Sequence, residues 1–234
     1  GVPGTVCASN ITSDVNAGLG SWTDDQILRA IREGVDNEGN ALFPIMPYRD
    51  YRYLSDEDAL AVVAYIRTLR PVDNPVDERS LDFPVGLFIG FGPEPLDEPV
   101  ANPDRADPVA YGAYLTRVAG CRTCHTPTAG GGTPIESRTF AGGREFTDPY
   151  GKQFVSSNLS PHDAGLLRYT KESFQTRFSI YQDVNETAQP LYGDANTYMP
   201  WFDFAHLTPE DLDAIFDFLM TLEPRDPADV LETE

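Results

Sequence analysis

Cys121, Cys124 and His125 are the residues whose types and spacing do chemistry together, in the run Cys121-Arg122-Thr123-Cys124-His125. This is the pattern of covalent haem attachment. Two intervening residues space the thiols to add to the two vinyl groups on one porphyrin edge, and the adjacent histidine then lies under the iron as its proximal ligand. Two other uses of such a cysteine pair are weaker. A structural zinc site needs further Cys or His ligands, and the one remaining cysteine is Cys7, far away in sequence. A redox dithiol of the thioredoxin kind needs a βαβ context, which the sequence lacks.

The sixth iron ligand is narrowed by an internal repeat. Val6-Cys7-Ala8-Ser9-Asn10-Ile11-Thr12 is similar to Phe154-Val155-Ser156-Ser157-Asn158-Leu159-Ser160. Met46-Pro47 matches Met199-Pro200, and Leu54-Ser55-Asp56-Glu57-Asp58 matches Leu207-Thr208-Pro209-Glu210-Asp211 at the same offset of 153 residues. Besides His125, the candidate ligands are Met46, Met199, Met220, His162 and His206. Only Met46 and Met199 coincide across the copies, each before a proline that stiffens the loop. Met199 is therefore the expected partner of His125, with Met46 in the same role in the first copy. With both axial positions filled by protein, electron transfer is favoured over oxygenase or peroxidase chemistry. Gly130, Gly131, Gly132, Gly142 and Gly143 would let backbone approach the porphyrin, and Arg144, Tyr150 and Trp201 are candidates to bond its propionates.

These residues need helices to position them. Thr208, Pro209, Glu210 and Asp211 open a helix whose apolar face runs Leu212, Ile215, Phe216, Leu219 and Leu222. Its counterpart opens at Ser55 and uses Ala59, Val62, Val63, Ile66 and Leu69. Prolines follow both, at Pro71 and Pro224. Thr23 and Gln26 form a capping box for a helix through Ile27, Ala30 and Ile31, and the matching helix starts near Thr170 with Phe174, Phe178 and Tyr181. Asp107 and Pro108 start a helix that leads to the cysteines. No stretch alternates as a long strand. The expected class is all-α with long loops.

Composition sets further bounds. Of 234 residues, 37 are acidic and 17 basic, a formal net charge of -20. The only lysines are Lys152 and Lys171 and no basic run could track a phosphate backbone, so no nucleic-acid partner is expected. The acidity reads as a solvated surface or as steering toward a basic redox partner. The apolar stretch from Phe83 to Phe91 is far short of the roughly 20 residues that cross a bilayer. It reads instead as packing against a domain, or as a strip for a partner. No signal peptide stands at Gly1, which fits a mature or trimmed chain.

Ser9-Asn10-Ile11-Thr12, Ile45-Met46-Pro47-Tyr48, the helix start at Leu54-Ser55-Asp56, Phe83-Pro84, and Tyr111-Gly112-Ala113-Tyr114-Leu115 ahead of Cys121 carry a family resemblance over nearly the whole chain. The sequence resembles the cytochrome c subunits of bacterial membrane-bound quinoprotein alcohol dehydrogenases and flavin-dependent sugar-acid dehydrogenases, and related soluble dihaem cytochromes. The resemblance implies two tandem class-I-like cytochrome c domains, each with a His/Met haem c, in the periplasm or on the outer cell surface, serving redox partners of a membrane-bound complex. The expected layout is a first domain over residues 1–71, a Pro-rich linker over 72–106, a haem domain over 107–225 and an acidic tail over 226–234. The first domain departs from the pattern: its attachment motif would fall roughly 27 residues before Gly1, and Ala8 after Cys7 rules out a local substitute. Either the natural chain is longer or the first domain has lost its covalent haem; retention of Met46-Pro47 favours the longer chain, with a second haem. Asn10, Asn158 and Asn185 lie in glycosylation-type triplets, of which the first two read as loop structure. An electron-transfer cytochrome is the leading function. A haem enzyme of the dihaem peroxidase kind and a haem-bearing structural subunit are the competing ones.

Overall fold

The computed structural model describes residues 4–84, 88, 93–129, 134–147, 151–182 and 199–226. The chain divides into two compact units, Gly1–Asn102 and Pro103–Glu234. The described residues are mostly helical, with a few strands of two or three residues.

In the first unit, β1 (Gly4–Thr5) pairs antiparallel with β2 (Ser80–Leu81), and the helices are α1 (Asp24–Arg32), α2 (Tyr48–Tyr51) and α3 (Asp56–Thr68). The sequence dictates where α1 starts: Thr23 Oγ1 accepts from the Gln26 amide at 3.2 Å, and the Gln26 side-chain oxygen accepts from the Thr23 amide at 2.8 Å. Ile27 and Ile31 of α1 pack on Val63 of α3, and Met46, Tyr51 and Leu54 border this cluster. Ser55 caps α3 by accepting from the Asp58 amide at 3.0 Å. The guanidinium of Arg67, in the last turn of α3, donates to the carbonyls of Leu19 and Trp22 and to the Asp24 carboxylate, tying the helix to the loop before α1. Parts of the Pro-rich stretch also lie on this unit. The Asp56 amide donates to the Val100 carbonyl at 2.9 Å, Arg52 pairs with Glu94 at 2.7 Å, and the Leu96 amide donates to Glu33. Within the Phe83-to-Phe91 segment, residues 85–87 and 89–91 lie outside the described residues, while Phe83 and Phe88 are exposed.

In the second unit, α4 (Pro108–Val118) precedes α5 (Cys121–His125). The hairpin of β3 (Glu145–Thr147) and β4 (Gln153–Val155) follows, then α6 (Lys171–Ser179), α7 (Trp201–Phe204) and α8 (Pro209–Met220). Asp107 caps α4, its carboxylate accepting from the amides of Val109 and Ala110 at 3.0 Å. Thr208 and Asp211 make the reciprocal cap of α8. The α4–α8 crossing is the most extensive helix contact of the unit. Tyr111 donates to Asp211 across it at 2.7 Å. The core collects Phe140, Leu166, Phe174, Phe178, Leu212, Ile215, Phe216 and Leu219. The face read from the spacing of α8 is thus the buried face. On α3 the same reading differs at Val62, which is 39% exposed where its counterpart Ile215 is 6% exposed. Among the described residues, no helix is seated on that side of α3 as α4 is on α8.

Candidate functional site

The attachment residues sit on one short helix because Gly120 lets the chain turn there. Gly120 adopts φ 67° at the start of α5, a left-handed conformation in which a Cβ is costly. The turn follows α4 directly and delivers Cys121, Cys124 and His125 together on α5, with Cys121 against the apolar cluster of the second unit. None of the cysteines is in a disulfide among the described residues.

The ring of His125 is half-buried and fixed by backbone. Its Nδ1 lies 2.7 Å from the Ser157 carbonyl oxygen. A carbonyl can only accept, so Nδ1 carries the proton and donates, which leaves the Nε2 lone pair as the ligating atom. Burial pushes the His125 pKa below the ordinary histidine range and so favours the neutral ring, while the Ser157 hydrogen bond opposes that shift and fixes which nitrogen carries the proton. The carbonyl of His125 in turn accepts from the Gly142 amide at 2.8 Å. Gly142 has φ +74°, and a Cβ there would come within 2.6 Å of Asn158 N and Ser157 C. Glycine is required at that close approach.

The loop that carries Ser157 is braced by its neighbour. Asn158 Oδ1 accepts from the amide and hydroxyl of Ser160, each at 2.7 Å, while Nδ2 donates to the Arg225 carbonyl at 2.6 Å. The first unit repeats the arrangement. Asn10 Oδ1 accepts from the amide and hydroxyl of Thr12, and its Nδ2 donates to the Val72 carbonyl at 2.8 Å. Sequence similarity between the two stretches therefore reflects one hydrogen-bonded loop used twice. Both side-chain amides are engaged within the fold, in keeping with the reading of these triplets as loop structure.

Met199 and Trp201 border the same apolar cluster as Cys121. The indole of Trp201 is stacked on Tyr181 with centroids 5.4 Å apart, tilted against Phe178, and capped by the guanidinium of Arg177 at 5.0 Å. The Trp201 amide donates to the Met199 carbonyl at 2.8 Å, holding the Met-Pro turn. Arg144 reaches the attachment helix itself, donating to the Thr123 carbonyl and lying over the Phe146 ring. Tyr150 and Gly130, Gly131 and Gly132 lie outside the described residues. In the first unit Met46 borders the Ile27, Ile31 and Val63 cluster. Met220 packs on the second unit's core, His162 accepts from the Ala164 amide, and His206 is exposed.

Two groups escaped the sequence reading. The Ser157 carbonyl is main chain, and no side-chain pattern marks it. Arg138, in the loop that leads to Gly142, has a buried Nη1 without a hydrogen-bond partner among the described residues. The first unit holds similar groups: the Tyr48 hydroxyl and two nitrogens of Arg32 are buried without hydrogen-bond partners among the described residues. A buried donor left so costs stability unless an acceptor such as a haem propionate arrives. Among the described residues, no group of three or more His, Cys, Asp or Glu could hold a metal ion.

A neutral histidine oriented by a carbonyl, two thiols on the same helical turn, and a thioether at the same apolar wall fit a covalently held haem. This is the arrangement of a c-type cytochrome, and the comparisons with known proteins agree. The chain is 29% identical over 96% of its length to the cytochrome c subunit of the quinone alcohol dehydrogenase of Gluconacetobacter polyoxogenes, covering 49% of that protein. It is 28% identical over 99% of its length to the gluconate 2-dehydrogenase cytochrome c subunit of Pantoea cypripedii, covering 54% of it. It is 31% identical over 68% of its length to a diheme cytochrome c-type protein of Cereibacter sphaeroides, again covering 54%. The chain spans about half the length of these relatives. No protein-family profile matches it.

Proposed function

We propose that the chain is an electron-transfer c-type cytochrome, with haem c bonded to Cys121 and Cys124 and its iron held between His125 and Met199. Haem bound there supplies an iron that takes up and releases single electrons. The observation that carries the reading is the His125–Ser157 hydrogen bond, which engages Nδ1 with the protein and leaves the Nε2 lone pair available to a metal. Arg138, Arg144, Tyr150 and Trp201 serve the propionate edge or the wall around it. The first unit is read as a second domain of the same class, where Met46 would hold the iron of a second haem and the buried Tyr48 hydroxyl could donate to its carboxylates. The domains are residues 1–71 and 107–225, joined by a Pro-rich linker over 72–106.

The relatives' roles as cytochrome c subunits of dehydrogenases support a place in a redox assembly outside the cytoplasm, passing electrons from a membrane-bound dehydrogenase to an acceptor. No helix among the described residues is long and apolar enough to cross a membrane.

Pyridine haemochrome absorbance on protein of known intact mass gives the haem count: one for the second unit alone, two if upstream residues complete the first. The wild-type oxidised protein is expected to show a sulfur-to-iron absorption band that Met199→Ala abolishes. Free binding of cyanide or peroxide by the wild type, with no such band, would turn the reading toward a peroxidase-like enzyme. A haem that small mediators cannot reduce and reoxidise would instead favour a structural subunit.

A further inference from the structure

Residues 94–102 run along the first unit without forming helix or strand, and carboxylates hold them there. Glu94 pairs with Arg52 at 2.7 Å, and the same guanidinium donates to the Pro95 carbonyl. The Leu96 amide donates to Glu33 at 3.3 Å, a carboxylate that also accepts from Arg29. The Val100 amide donates to Asp56 at 3.3 Å, and the Asp56 amide donates back to the Val100 carbonyl at 2.9 Å. The Asn102 side-chain amide donates to Glu57. Apolar burial adds little to this hold. Leu96 and Val100 are half-buried, and every other residue from 94 to 102 is exposed. Hydrogen bonds to an ionised carboxylate are roughly twice as strong as those between neutral groups, so such a strap depends on the charge of its acceptors.

We propose that residues 94–102 are an acid-released strap, docked on the first unit while Glu33, Asp56, Glu57 and Glu94 are ionised and detached once they are protonated. The charged groups around each are of this unit. Asp56 faces Arg32 of α1, with Glu57 and Asp58 beside it at the start of α3, Glu33 faces Arg29, Glu94 faces Arg52, and the strap itself carries Asp97 and Glu98. The bonds from Arg32 and Val100 lower the pKa of Asp56, so its hold is complete above the unfolded value of 3.8 and is lost as pH falls through the folded one. Prolines at 95 and 99 stiffen the strap, which favours release as one piece. Docked, it leaves a connector ahead of α4 that begins at Pro103. Released, residues 94–102 join that connector and lengthen it by up to roughly 30 Å. Acid thereby sets how far the chain can reach between the two units.

The test follows hydrogen exchange at single amides of the haem-loaded chain by NMR, each rate taken relative to the intrinsic rate at that pH. The Leu96 and Val100 amides are expected to be protected near neutral pH and to lose that protection several-fold below pH 3.8, while the Val63 amide of α3 keeps its own. Protection that persists in acid overturns the proposal, as does its absence near neutral pH. Loss in step with Val63 also overturns it, since the whole unit would then be unfolding. Glu33→Gln removes the charge of one attachment and leaves the Arg32–Asp56 pair in place. In that variant, protection of Leu96 near neutral pH is expected to fall several-fold and its dependence on pH to flatten. A Leu96 profile identical to wild type would rule out release through the carboxylates.

Discussion

Gly112 rests on the carbonyl of Ala214. A Cβ built on Gly112 would lie 1.8 Å from that oxygen and 2.4 Å from its carbon, so the two helices approach as closely as backbone allows. This contact sets the distance from α4 to the core, and through Gly120 the placement of the attachment helix.

Gly112→Ala is therefore expected to force α4 away from α8. Overpacking against backbone costs about 3 kcal/mol, against about 1 kcal/mol gained from alanine's better helix propensity, for a net loss of about 2 kcal/mol. Chemical unfolding of the haem-loaded protein measures it, and an unchanged midpoint would show that the helices part without strain.

Asn158→Ala and Asn10→Ala remove the same hydrogen-bond pattern from two different surroundings. Asn158 is buried, so its partners at Ser160 and Arg225 are stranded at a cost of about 2–4 kcal/mol, whereas water can replace the bonds of the more exposed Asn10 for about 1 kcal/mol. Equal losses at the two positions, read from urea titrations, would refute burial as the deciding difference.

Asp56→Asn is expected to loosen the first unit. The carboxylate accepts from Arg32 at 2.7 Å and from the Val100 amide, and these bonds hold its pKa below the ordinary carboxylate range. Because the folded pKa is lowered, the stabilisation is present above the unfolded value of 3.8 and is lost as pH falls through the folded one. Arg32 is buried while Asp56 is about half exposed, so the substitution should cost about 1–3 kcal/mol, less than breaking a fully buried pair. Stability measured near neutral pH and below pH 3.8 should show the difference from wild type shrinking in acid.

Gly142→Ala tests the loop under His125. The left-handed φ and the contact with Ser157 both oppose a side chain, at about 1–3 kcal/mol. The haem-loaded variant is expected to bind cyanide faster than the wild type, because the loop that orients His125 must shift. An unchanged rate would mean that the ring does not depend on this loop.

What was legible in the sequence was local or repeated. Thr23, Thr208 and Asp107 announce helix starts because a cap is settled within three residues, and the structure has each cap in place. The attachment pattern is legible because its geometry lies within five residues. The Ser157 contact was not, since a carbonyl 32 residues away is brought to His125 by the loop and its Asn158 brace. The short strands were too brief to alternate. Val62 read as core from periodicity, yet its exposure depends on a neighbour outside α3.

The tether between His125 and Ser157 also bears on speed. Each electron transferred must wait for the nuclei around the iron to suit both oxidation states, and a ligand free to swivel raises that reorganisation energy. A ring pinned at 2.7 Å by a braced main-chain oxygen, in a half-buried site, starts and ends in nearly the same place. If haem is bound at Cys121 and Cys124 with His125 on its iron, as proposed, the stiffness of the loop would lower the barrier to electron exchange, apart from any effect on the driving force.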